Sequence, residues 1–288
     1  MICAVDRETP GRFRKSAAKK EADILCKKGN PLSFLIGRES GDEKRLLFCI
    51  VTFDNISVTF RIDGSGKPLY NRGMIEIAKN EKILFEGDSV TDALRDRSDK
   101  YSLAGYSSAV AGRLSSLYPS LQVACYNRGV GGETSSDLLR RLPAALEEVK
   151  PTVFSLLIGI NDTWRRFDSG NRTSAEKYGE NVEKILNAAE EYTRKIIILE
   201  PFLLDVDPEK KVFREDLCEK IFVLREIAAR HRTEFVPLNG IFAEACCREC
   251  PQVYSYDGVH PAAAGHALIA EAWLQRVYAG KSYQGVKI

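Results

Sequence analysis

The sequence predicts an α/β protein, a three-layer, doubly wound sheet of five parallel strands with an N-terminal extension. Three observations carry that expectation. From Met74 onwards, short β-rich runs alternate with stretches of helical period. The runs are separated by 26 to 36 residues, long enough for the crossover helix that parallel strands require. They also lack a long polar face, as strands covered on both sides do.

Residues 1–73 differ from the rest in composition. They hold 14 Lys/Arg against 9 Asp/Glu, whereas residues 74–288 carry a small acidic surplus. The first 45 residues show no sustained period of either 3.6 or 2. Leu46–Phe53 and Ile56–Ile62 then flank Asp54-Asn55 as a candidate hairpin, so residues 1–73 read as an N-terminal extension that is either poorly ordered, the favoured reading, or a small β-hairpin. Ser65-Gly66-Lys67-Pro68 and Asn71-Arg72-Gly73 mark a boundary, so residues 74–288 read as the main domain.

In that domain the expected strands are Lys82–Glu86, Leu121–Tyr126, Val153–Ile158, Lys195–Leu199 and Glu234–Leu238. Tyr106, Val110, Leu114 and Leu117 recur at helical spacing. So do Tyr178, Val182, Ile185 and Ala189, and then Phe213, Leu217, Ile221, Leu224 and Ala228. A last helix is expected to start at Pro261 and to carry Leu268, Ile269, Trp273 and Val277, since proline suits a first helical position.

Composition narrows the function. The formal net charge of the 288 residues is +2, which gives no electrostatic footprint for nucleic acid. The longest apolar runs, Leu46–Val51 and Ile196–Leu199, fall far short of the ~20 residues a membrane helix needs. The first twenty residues are basic without an apolar stretch, so a cytoplasmic protein is expected. In that compartment the eight cysteines stay reduced. Cys247 and Cys250 form a C-x-x-C beside Cys246 but lack a second ligand pair, so no metal is expected and a nearby helix with small apolar side chains is the simpler reading. Gly129-x-Gly131 would place the third glycine of a dinucleotide fingerprint on Thr134, which removes that cofactor from consideration. No cofactor is expected, and a homo-oligomer is neither required nor excluded.

Ligands of such sheets lie beyond the carboxyl ends of the strands. There the sequence places Gly87-Asp88-Ser89-Val90-Thr91-Asp92, Asn127 to Thr134 (NRGVGGET), Gly159-Ile160-Asn161-Asp162 and, after the fifth strand, Asp257-Gly258-Val259-His260-Pro261. Ser89 would stand near a first helical turn with free backbone N–H groups. His260 could take its proton, and Asp257, three residues earlier, could accept from the imidazole and fix its tautomer. The backbone N–H groups of Ser89 and Gly132 and the amide of Asn161 are candidate donors to a developing oxyanion. Asp88 and Asp162 read as loop supports, His231 as a cation suited to a helix C-terminus, and His266 as a local hydrogen-bonding or packing residue.

These four blocks, in this order, resemble the SGNH (GDSL-type) hydrolase family over about residues 80–280. The resemblance implies a flavodoxin-like SGNH hydrolase fold, a nucleophile at Ser89, an oxyanion glycine at Gly132 and an oxyanion asparagine at Asn161. It also implies Asp257 and His260 as the remaining triad members. GDSV stands here where the family pattern has GDSL, a change beyond the serine. The strings NDTWR and HPAAAGHALIAEAW look most like bacterial carbohydrate acetyl esterases. The expectation is therefore a serine esterase that removes small acyl groups, acetyl above all, from a carbohydrate ester substrate. Lysophospholipase or acyl thioesterase activity, and a non-catalytic carbohydrate-binding protein, are the alternatives. Trp164, Arg165 and Tyr256 are the expected substrate contacts, because they adjoin these blocks.

Overall fold

A computed structural model of the chain describes residues 33–38, 47–53, 56–62 and 74–278. The chain divides into two compact units, Met1–Arg72 and Gly73–Ile288. In the first, β1 (Ser33–Arg38), β2 (Leu47–Phe53) and β3 (Ile56–Ile62) form an antiparallel sheet in that order. Phe53 lies opposite Ile56 and Leu47 opposite Ile62, so the two β-rich runs pair with each other. β1 is a third strand within a stretch where the sequence shows no period. Its apolar residues Phe34, Leu35 and Ile36 are consecutive, which hides the alternation that marks most antiparallel strands.

The second unit runs β4 (Ile75–Glu76), β5 (Lys82–Gly87), α1 (Ser89–Asp92), α2 (Gly105–Leu117), β6 (Ala124–Asn127), α3 (Ser135–Val149), β7 (Val153–Leu157), α4 (Ile160–Asp168), α5 (Ala175–Glu190), β8 (Ile196–Leu199), α6 (Phe213–His231), β9 (Glu234–Val236), α7 (Leu238–Ala245), α8 (Ala263–Leu274) and β10 (Val277–Tyr278). Its main sheet has five parallel strands in the order β6-β5-β7-β8-β9. β5 is therefore flanked by strands that follow it in opposite directions, and the loops leaving β5 and β7 diverge to open a crevice at their carboxyl ends. This is the doubly wound α/β architecture expected from the sequence.

Alternate residues of the strands serve two cores. Ile83, Phe85, Ile197 and Leu199 pack with residues of α2, α7 and α8 on one face. Leu84, Phe154, Leu156 and Ile198 pack with α3, α5 and α6 on the other. Each fully buried aliphatic or aromatic side chain contributes roughly 1.5–3 kcal/mol of transfer free energy. Trp273 is fully buried against Phe85, and its indole N–H donates to Ser155 Oγ at 3.1 Å, which satisfies the polar atom that β7 carries into that core.

Four local expectations need correction. Leu121 to Val123 are not strand: Pro119–Leu121 form a 3₁₀ turn and Gln122 adopts the left-handed region, so β6 starts only at Ala124. α8 begins at Ala263 rather than Pro261, because Pro261 pairs with Ser255 in an isolated bridge and ties down the preceding loop. Val277 lies beyond α8 in β10, where it pairs with Ile75. The fifth strand ends at Val236, and Leu238 already starts α7, which leaves Cys246 at the helix end and Cys247 and Cys250 exposed beyond it.

α5 and α6 are clamped at their surface by His231, whose Nδ1 meets Glu190 at 2.8 Å and whose Nε2 meets Glu183 at 2.6 Å. Burial opposes the protonated imidazole, but the two carboxylates outweigh it and raise His231 above its ordinary value. The stabilisation from such a group is complete below the unfolded-state value near 6.5 and is lost as pH rises through the higher folded value. His231→Gln should therefore lower stability by about 1 kcal/mol at pH 5.5 and by clearly less at pH 8.5. Paired urea melts at the two pH values measure the difference.

Candidate active site

β5 ends in Glu86 and Gly87, and both are enclosed. A Cβ on Gly87 would lie 2.3 Å from the Leu157 carbonyl oxygen, so only glycine lets β5 pass β7 here. Asp88 then caps α1, its Oδ1 accepting from the Val90 N–H at 3.0 Å. Ser89 is thus the first residue of a four-residue helix that stops at Ala93 and Leu94, both in the left-handed region.

The last sequence block approaches the serine from the other end of the chain. Ser89 Oγ lies 3.1 Å from His260 Nε2, and His260 Nδ1 lies 3.0 Å from Asp257 Oδ2. Asp257 Oδ1 accepts from the backbone N–H groups of Val259 at 3.0 Å and His260 at 2.8 Å, so one carboxylate shapes the turn and orients the ring. Ser255 Oγ donates to the His260 carbonyl at 2.8 Å and accepts from the Gly258 N–H at 2.9 Å. Leu204, in the segment after β8, donates its N–H to the Gly258 carbonyl at 2.9 Å. The structure brings Ser89, His260 and Asp257 into one hydrogen-bonded chain.

The second and third blocks line the other side. Asn127 is fully buried and donates to the Thr91 carbonyl at 2.6 Å, while its own Oδ1 accepts from the Gly129 N–H at 2.9 Å. A Cβ on Gly131 would lie 3.6 Å from the Ser89 Cβ, which puts this loop in van der Waals reach of the serine. Among the described residues, neither the Ser89 nor the Gly132 N–H is taken up by a hydrogen bond. Asn161 Nδ2 donates to the Glu133 carbonyl at 3.0 Å, which anchors the amide to the same loop and leaves its second N–H free of that bond.

The expected substrate contacts fare unequally. The Trp164 ring centroid is 6.1 Å from that of His260 and 5.6 Å from that of Phe213. Arg165 donates to the Gly132 carbonyl at 3.2 Å and pairs with Asp168, so it braces the loop. Tyr256 is 74 % exposed, and among the described residues its one hydrogen bond is from its backbone N–H to the His260 carbonyl at 3.0 Å.

Charge is distributed with care around these groups. Burial pushes Asp257 up, but hydrogen bonds from the His260 ring and from the His260 and Val259 N–H groups outweigh it and hold the carboxyl well below the ordinary range. For His260 the hydrogen bond to Asp257 is the largest effect and raises it; burial opposes, Asp88 adds to the rise and Lys210 reduces it. Burial raises Asp88 to about 7 and Asp162 to about 6. Asp162 accepts from Ser135 N–H at 2.8 Å and Ser135 Oγ at 2.6 Å, and Asn181 Nδ2 reaches Ser135 Oγ at 2.9 Å, so α3, α4 and α5 meet behind the second loop. Both aspartates thus hold loops, as their flanking positions suggested.

Some supporting residues escape sequence reasoning. Glu86 is completely buried and its Oε2 accepts from Arg141 at 2.7 Å; Arg141 also bonds Glu133 at 2.7 Å, linking the ends of the first and second blocks. A carboxylate closing the apolar run KILFE was a signal for such a buried pair. Lys210, which contacts Asp257, lies in the run PEKK, which reads as an ordinary solvated surface. His266 serves the fold: its Nδ1 accepts from the Tyr106 N–H at 3.2 Å, and burial lowers its basicity.

The sequence profile of the GDSL-like lipase/acylhydrolase family matches residues 85–268. The chain belongs to this family. It is a carboxylic ester hydrolase with the SGNH fold. An acetylxylan esterase from Geobacillus stearothermophilus is 30% identical over 212 residues, which cover 70% of this chain and 96% of that one. The solved structure of a catalytic mutant of that organism's acetylxylan esterase Axe2 superposes with a TM-score of 0.65 at 30% identity, covering 69% of this chain and 95% of the other. An α/β hydrolase from the metagenome of Lake Arreo, Spain, matches with a TM-score of 0.64 at 27% identity over 69% and 95% of the two chains.

The turn that carries Asp257 and His260 depends on Gly258. Its φ is +91°, and a Cβ there would lie 2.5 Å from the Leu204 carbonyl oxygen. Gly258→Ala should cost about 2 kcal/mol or more in urea unfolding and lower ester hydrolysis, because the turn that holds Asp257 and His260 must shift to relieve the clash with Leu204.

Proposed function

We propose that this hydrolase removes small acyl groups, acetyl above all, from carbohydrate through an acyl-enzyme on Ser89. The observation that supports this most directly is the continuous chain from Ser89 Oγ through the imidazole of His260 to Asp257. Solved catalytic mutants of Axe2 replace a serine, an aspartate and a histidine, the aspartate three positions before the histidine, which is also the spacing of Asp257 and His260. The acetylxylan substrate of that relative supports acetyl and carbohydrate for this chain.

In this mechanism Ser89 Oγ attacks the ester carbonyl while His260 Nε2 takes its proton. Asp257 stabilises the imidazolium that results and holds the ring in the required tautomer. The carbonyl oxygen becomes an oxyanion, met by the N–H groups of Ser89 and Gly132 and the Asn161 amide. Collapse of the tetrahedral intermediate expels the sugar alkoxide, which receives the proton from His260. Water then repeats the sequence on the acyl-enzyme, giving acetate and free Ser89. The ring of Trp164, beside His260, would carry the sugar that leaves.

Ser89→Ala and His260→Ala should each lower kcat on p-nitrophenyl acetate by a factor approaching ~10⁶, since such groups act as a unit. Asn161→Ala removes one oxyanion donor and should cost about 10²–10³ in kcat with little change in KM. Retention of more than a few per cent of activity (about the level that excludes a lost nucleophile) by Ser89→Ala would contradict the mechanism.

Asn161, bonded to the Glu133 carbonyl, and Arg165, bonded to the Gly132 carbonyl, give the loop beside Ser89 a polar character. Acetyl esters should therefore exceed octanoyl esters in kcat/KM. An apolar groove would favour the longer chain by ~1–3 kcal/mol per methylene, so a preference for octanoate would move the assignment to lipid esters or acyl thioesters.

A further inference from the structure

Lys210 is an unusual lysine for an exposed-looking run of charges. It sits in the 3₁₀ turn Pro208–Val212 after β8 and is only 9 % exposed. Its ammonium has three N–H donors and three acceptors within reach: Asp207 Oδ2 at 2.9 Å, the Asp257 carbonyl at 3.1 Å and Asp257 Oδ2 at 3.3 Å. The Trp164 ring lies beneath it, with the nitrogen 5.0 Å from the ring centroid. Asp207 is itself fixed, because it caps the turn by accepting from the Glu209 N–H at 3.0 Å. Solvated surface lysines are not held on every side in this way.

We infer that Lys210 is a positioning residue of the site: anchored by Asp207, it fixes the Asp257 carboxylate behind His260 and sets the basicity of the imidazole. This rests on the reading of Ser89, His260 and Asp257 given above. The oxygen that Lys210 contacts is the one that accepts from His260 Nδ1. The charged groups facing His260 are Asp257 from its own loop, Asp88 from the turn before α1, and Lys210; Trp164 of α4 adds an uncharged ring. Two carboxyls therefore favour imidazolium, and Lys210 opposes them. A histidine held too firmly as imidazolium has no lone pair for the Ser89 proton at neutral pH. Lys210 keeps the orienting hydrogen bond of Asp257 while offsetting part of its charge. It remains a cation throughout, since its acidic partners outweigh burial and raise it above its ordinary value.

The chain has three histidines, so a heteronuclear NMR titration resolves each ring, and His260→Ala assigns the signal of interest. Lys210→Met keeps the stem and removes the charge. It should raise the pKa of His260 by about half a unit or more. The acid limb of the kcat/KM profile should move upward by the same amount, lowering activity on that limb by about threefold or more. Lys210→Arg, which keeps the charge, should leave His260 close to wild type. Lys210→Gln makes the same test as Lys210→Met if the latter does not fold. An imidazole that titrates as in wild type in the neutral variants, with only a lowered Tm, overturns the inference. A shifted His260 whose acid limb does not follow supports the coupling to Lys210 and instead contradicts His260 as the general base.

Discussion

Parallel pairing of β5 with β6 on one side and β7 on the other is the constraint on which the site depends. It fixes the end of β5 inside the sheet, beside the crevice where the loops leaving β5 and β7 diverge. The rest of the candidate site is brought to that end by other strands and loops. The Ser89 turn comes directly off β5, the Gly132 loop off β6 and the Asn161 helix off β7, while Asp257 and His260 lie beyond β9 and α7. The passage is tight enough that Gly87 has no room for a side chain beside the Leu157 carbonyl. A shift of β5 against β7 would move the serine and the asparagine apart together.

The loops at this rim are held mainly by polar groups taken out of water. Glu86 with Arg141, Asp162 with Ser135, and Asn127 with the Thr91 and Gly129 backbones are buried networks. Each is costly to break, because a stranded partner loses its hydrogen bond without regaining solvent. Such networks define one loop geometry more sharply than apolar packing does. Apolar packing supplies the scaffold below them, through the two cores that sandwich the sheet. Asp257 extends the same logic into the candidate site: one carboxylate closes a turn, orients a ring and receives a lysine.

Much of this was legible in the sequence. Buried parallel strands write themselves as short apolar runs, and KILFE, VFSLL and IIIL fall where β5, β7 and β8 lie. The four polar, glycine-rich blocks pointed to one rim, because the fold class dictates where ligands meet such a sheet, and the structure brings their side chains together there. Boundaries were less legible. Pro261 has the chemistry of a helix start but is used in a bridge to Ser255, a tertiary choice that no local pattern records. β1 carries three consecutive apolar residues rather than an alternation. Lys210 and Arg141 were invisible for a different reason. Asp257 and Glu86, the partners that tie them to the site, lie 47 and 55 positions away in the chain, and a basic residue gives no sign of whether it faces water or a buried carboxylate.

The central claim is that Ser89, activated by His260, forms the covalent intermediate. Intact-protein mass spectrometry after treatment with a fluorophosphonate, followed by peptide mapping, addresses it without assuming any natural substrate. The expected result is a single adduct on Ser89, within the peptide containing Gly87-Asp88-Ser89-Val90, that is lost in His260→Ala. An adduct on another serine, or an unmodified Ser89 in protein that hydrolyses esters, would contradict the account.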